Sequence, residues 1–209
     1  MKLIIKSVMI LIVLSGTIFA QGKYTEFKVG ILGPKDTPTG FFGGINFGRS
    51  IDQNLGLGLE VDVYKKGYTK EEKIDTAKAG FPAQIVRQTF DQSAWMFPVF
   101  LQFQYLGEMM PSLHLKVTAG LGYELLFTNY QDYETGADEN YFFHGFAWHV
   151  DVGTSYPLSR ASDIFAEVLY HGGKPSKSEE DRNGFPIRTE MNMNGLGLRI
   201  GLRVYNFGF

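Results

Sequence analysis

The chain has 209 residues, room for one domain of moderate size, and a formal charge of −2 from 20 Lys+Arg against 22 Asp+Glu. That balance argues against nucleic acid as a partner, and 44% hydrophobic residues are too few for a bundle of membrane-spanning helices. With no Cys, disulfides, thiolate chemistry and Cys-ligated zinc are excluded, while 25 Gly and 15% aromatics point to a β-protein.

Residues 1–20 read as a cleaved secretory signal: Lys2 and Lys6, an apolar run from Val8 to Leu14, and a small residue, Ala20, before polar sequence begins at Gln21. Residues 21–209 then form one domain. No stretch in it approaches the ~20 apolar residues of a membrane helix. Two-residue alternation recurs instead. Leu55, Leu57, Leu59, Val61 and Val63 alternate with Gly56, Gly58, Glu60, Asp62 and Tyr64, so one face is apolar and the other small or charged.

The same period predicts strands over 25–31, 41–49, 55–64, 95–105, 113–124, 146–153, 164–171 and 196–204. Pro98 removes a ladder donor and suggests a bulge. The connections alternate in length. Those near 50–54, 106–112 and 157–162 are short, while 65–93, 129–140 and 172–190 are long. An eight-stranded antiparallel meander with short turns at one end and long loops at the other is the expected all-β architecture: an up-and-down transmembrane barrel.

A soluble barrel with its apolar face inward is the alternative. Three features favour lipid outside. The polar face is rich in Gly, as a cramped lumen requires. Aromatics sit near the strand ends on the apolar face, with Trp95, Phe97 and Phe127 at one end and Tyr105, Tyr156 and Tyr205 at the other. The chain finishes with Tyr205, Phe207 and Phe209 at alternate positions.

This combination resembles the small outer-membrane β-barrel proteins of the OmpA transmembrane-domain, OmpX and Ail type, over roughly residues 24–209. The resemblance implies a bacterial outer-membrane location with both termini periplasmic. It implies lipid and lipopolysaccharide as surroundings. It also makes Tyr205, Phe207 and Phe209 a signal for the barrel-assembly machinery. The apolar phase jumps by one residue to Val204, Leu202 and Ile200, which suggests a bulge near Val204 or a strand ending before Tyr205.

The inward phase collects Lys28, Glu60, Asp62, Lys116, Glu124, His149, Asp151, Glu167, His171, Arg199 and Arg203. Near-balanced charge in so narrow a lumen reads as an ion-paired plug. Glu167 is expected to pair with Arg199 or Arg203, and the other arginine with a different acid, Glu26 being one candidate. The expected role is structural or surface interaction through loops 65–93 and 172–190, with an unspecified surface ligand, no cofactor, no metal and no catalysis. A lipid-modifying enzyme of the lipid A deacylase or acyltransferase kind and a small-solute channel are the competing readings. His149 and Asp151 share a face, but no assembled nucleophile accompanies them.

Overall fold

The computed structural model describes residues 22–74, 85–132, 137–180 and 186–207, with side chains described outside 68–92, 132–137 and 179–187. The expected leader and Phe209 lie outside the described residues. Ten strands form: β1 (Lys23–Pro34), β2 (Gly40–Ser50), β3 (Leu55–Ile74), β4 (Ile85–Met110), β5 (Leu113–Asp132), β6 (Ala137–Ser159), β7 (Ser162–Gly173), β8 (Ser176–Glu180), β9 (Pro186–Glu190) and β10 (Gly195–Tyr205).

Strands β1 to β7 pair with their neighbours in order, β7 pairs with β10, and β10 pairs with β1, all antiparallel. The result is a closed eight-stranded barrel with no free edge. β8 and β9 form a hairpin touching β6 at His144–Ser176. The segments expected as long loops are largely strand. β3 and β4 stay paired out to Ile74–Ile85, and β5 and β6 out to Asp132–Ala137. Hairpin pairing continues past the barrel because it satisfies the backbone without needing a third strand.

Pro98 produces no bulge. The β3–β4 ladder skips the pairs at Asp62 and Val63 and resumes at Tyr64–Met96 in unchanged register. Register shifts occur instead at Lys70/Glu71, at Glu108/Met110 and at Pro157/Ser159. At the end of the chain the ladder runs unbroken from Gly195–Pro34 to Tyr205–Tyr24, so neither alternative for the last strand holds. The phase changes one residue later, at Asn206, whose φ of 58° is left-handed. Tyr205 therefore falls on the lumen phase, not in the apolar girdle. Its hydroxyl donates to Asp163 at 2.6 Å, and Phe207 packs outside against Phe27.

Alternation fixes what faces where. Leu59, Val61, Leu121 and Ile200 are 48%, 40%, 62% and 59% exposed, while Glu60, Asp62 and Arg199 are 0%, 0% and 2% exposed. Burial is inverted relative to a water-soluble fold, with charge inside and a continuous apolar belt outside.

Candidate functional site

The lumen carries the chemistry. Arg199 is its hub. Gly30, its partner on β1, has no side chain, so the guanidinium can extend across the barrel. Nε donates to Glu167 on β7 at 2.9 Å, Nη1 to Glu60 and Asp62 on β3 at 2.8 and 3.1 Å, and Nη2 to Asp151 on β6 at 2.6 Å.

A second hub is Glu26. It accepts from Arg203 Nε at 3.0 Å, from Asn46 at 3.1 Å and from Gln104 at 3.2 Å, and it pairs with Lys116 at 3.2 Å. Lys116 also reaches Glu167 at 2.9 Å, and Lys28 reaches Glu60 at 2.7 Å, joining the two hubs. Each of the eight barrel strands supplies at least one member. The network thus ties the whole circumference through its centre.

All nine residues expected in the ion-pair set, Lys28, Glu60, Asp62, Lys116, Glu124, Asp151, Glu167, Arg199 and Arg203, lie in the lumen at 3% exposure or less. Eight join the network. Glu124 stands apart and accepts from His171 at 2.9 Å. Arg199 takes Glu167, and Arg203 takes Glu26. Five carboxyl side chains (Glu26, Glu60, Asp62, Asp151, Glu167) face four basic side chains (Lys28, Lys116, Arg199, Arg203). His149 Nδ1 lies 2.9 Å from Asp151 and adds a hydrogen bond at the edge of the network.

Cationic stems also lie against rings. Lys116 Nζ is 3.4 Å from the Phe165 centroid, and Arg203 is 4.6 Å from that of Tyr24. Glycines make room for such bulk. A Cβ on Gly120 would strike the His149 imidazole, and one on Gly201 the Phe165 ring.

Toward the long-loop end the filling changes. Leu32, Phe42, Tyr64, Ala94, Met96, Leu126, Phe143, Leu169 and Met193 form one buried apolar layer. Residues 35–38 fold over it. Tyr64 donates to Pro38 O at 2.6 Å, and Lys35 N and Asp36 N donate to Asn194 O and Asn192 O. Sequence reasoning did not anticipate this layer or the membership of Asn46 and Gln104. With these side chains buried to within a few per cent, the lumen is filled across its width at mid-height. A 270 Å³ cavity indents the short-turn end beneath Arg203, Tyr24 and Gln104.

His149, Asp151 and Ser155 share a face of β6 but form no triad, since six residues of strand separate His149 from Ser155 by about 20 Å. Among the described residues, no three His, Asp or Glu side chains converge as a metal site.

On the outer surface, Trp95, Phe97, Phe127 and Phe142 form a chain of ring contacts at 4.9–6.2 Å, and Lys65 lies 4.4 Å over Trp95. Tyr105 and Tyr156 stand exposed near the other end.

No family model and no curated protein sequence matches the chain. Solved structures do. Neisserial surface protein A is 17% identical with a TM-score of 0.54, the match covering 88% of this chain and 97% of that one. A major outer membrane protein from Thermus thermophilus is 15% identical (TM-score 0.56, 88% and 98% covered). The outer membrane protein OprG from Pseudomonas aeruginosa is 10% identical (TM-score 0.57, 90% and 98% covered). The chain has the fold of the small eight-stranded outer-membrane β-barrels.

Proposed function

We propose that this is an integral protein of a bacterial outer membrane that acts as a closed structural barrel presenting its long-loop end to the cell exterior. The inverted burial carries the reading. A belt including Val29, Leu59, Leu121, Val168 and Ile200, each 48–62% exposed, belongs in hydrocarbon. The ring cluster around Trp95 and the stem of Lys65 suit the level of the outer headgroups, with lipopolysaccharide phosphate as the partner of the ammonium. Both termini then lie in the periplasm beside the short turns. The last strand and Phe207 are the surface offered to the assembly machinery. The paired hairpins β3–β4 and β8–β9 supply the interaction surface, for a partner still to be found.

Two observations test this. The protein should fractionate with the outer membrane and migrate differently on a gel before and after boiling. Release as a soluble periplasmic protein with unchanged migration would refute it. Because the chain has no Cys, Lys174→Cys should label in intact cells and Gln53→Cys should not. Labelling of Gln53→Cys alone would invert the orientation.

A further inference from the structure

The outer face of the extended β4, β5 and β6 strands carries two rows of side chains in register. The first row is aromatic: Trp95 on β4, Phe127 on β5 and Phe142 on β6 are cross-strand neighbours. The second, two residues farther out, is polar: Ser93, Asn129 and Asn140. The last pair between β2 and β3, Phe41–Lys65, is level with the aromatic row, since Lys65 also pairs with Trp95. The polar row therefore stands beyond that closure, about 7 Å farther along the strands.

Both rows line one surface cavity of 180 Å³, room for a single sugar-sized ring. Its polar side has spare hydrogen-bonding capacity. Asn129 Nδ2 donates to Asn140 Oδ1 at 2.9 Å and to Asp138 Oδ1 at 3.3 Å. Among the described contacts, Asn129 Oδ1 remains to accept, Asn140 Nδ2 to donate and the Ser93 hydroxyl to do either. Anchoring at the headgroup level accounts for the aromatic row. It does not account for a polar row set in register beside it around one cavity.

The chemistry of the lining selects the ligand. No lining residue is charged. Lys65 lies 4.4 Å over the Trp95 ring and does not line the cavity. Asp138, bonded to Asn129, disfavours an anion, and the Asn140 N–H groups disfavour a cation. An alkyl chain would leave the amides unused. A pyranose ring suits both rows. Its C–H face meets the negative faces of the aromatic rings. Its hydroxyls, each able to donate and accept, meet an amide carbonyl and an amide N–H side by side. The same neutrality argues against the membrane's own lipopolysaccharide, whose sugars near the bilayer carry phosphate.

We propose that this patch is a saccharide site, which holds one uncharged pyranose ring of a glycan arriving from the cell exterior. The direction of arrival rests on the long-loop end facing outward. The binding chemistry does not, so a titration in micelles and the cysteine labelling above fail separately. Trp148→Phe leaves Trp95 as the single Trp and the reporter. The folded full chain in amine-oxide micelles, free of sugar headgroups, is titrated with maltotriose, mannotriose and chitotriose. At least one should give a saturable change in Trp95 emission, with shifts of the Asn129 and Asn140 side-chain amides. No saturable change with any of the three would overturn the proposal.

Asn129→Leu and Asn140→Leu should each weaken that binding about tenfold through a lost hydrogen bond. Unchanged binding in both would reduce the patch to an aromatic girdle and overturn the proposal. Tyr156→Leu, at the other end of the barrel, should leave binding unchanged. An equal loss there would mean partition at the micelle surface rather than a site. Glucose 6-phosphate should bind no more tightly than glucose. Tighter binding would make Lys65 the determinant, and displacement of the trisaccharide by equimolar lipopolysaccharide would assign the site to the membrane's own glycolipid. Either result would overturn the proposal.

Discussion

At mid-height the barrel is filled by Arg199, Glu60, Asp62, Asp151, Glu167 and their partners. Toward the long-loop end it is filled by Leu32, Phe42, Tyr64, Met96 and Leu126. Both fillings block the lumen, but they hold in different ways. Each charged side chain depends on partners from other strands, because a buried ion without its counter-ion is far worse than none. Each apolar side chain depends mainly on filling its volume. The charged layer therefore fixes which strands meet at the centre, and the apolar layer caps it without specifying partners. Phe42 joins the two, lying 5.4 Å from the Arg199 guanidinium while packing in the apolar layer.

Replacing the hub should have the largest effect. Arg199→Met leaves four carboxylates on three strands without their shared cation, and a loss of at least about 3–5 kcal/mol is expected. Urea unfolding in micelles measures it. Next is Glu167→Ala, which takes a partner from both Arg199 and Lys116. About 3–5 kcal/mol is expected, and a loss below about 1 kcal/mol would mean that water screens the network.

In the apolar layer, Leu126→Ala should cost about 2–5 kcal/mol through the cavity it opens. Leu126→Met, which refills the volume, should recover most of that loss, whereas no apolar side chain can replace Arg199. The smallest effect belongs to the surface. Arg188 and Glu190 pair at 3.0 Å but their side chains are 65% and 46% exposed, so Arg188→Ala should shift stability by no more than about 1 kcal/mol.

The barrel and most of its charged filling were legible because a strand's two-residue period assigns each side chain to a face. The alternation from Leu55 to Tyr64 places Glu60 and Asp62 inside, and the separate alternation from Leu196 to Val204 places Arg199 and Arg203 inside. Partner choice was less legible, since it depends on register across strands far apart in sequence. That Arg199 opposes Glu167 follows from β7–β10 pairing, whereas its reach to Glu60 crosses the lumen and has no local signature.

The apolar layer had a visible trace in the doubled residues Phe41-Phe42, Leu125-Leu126 and Phe142-Phe143, where both faces are apolar at once. Such doublets break alternation and read as noise until the faces are known. Tyr205 misled for the opposite reason. Its aromatic character matched the terminal pattern, but a single left-handed residue, Asn206, separates its phase from that of Phe207.

Conductance tests the central claim, that paired charge and the apolar layer close the lumen, most directly. The folded full-length protein reconstituted in a planar bilayer should show no steady open level. A stable, ohmic open state of the unmodified protein would contradict a filled lumen and turn the charged network into the lining of a pore.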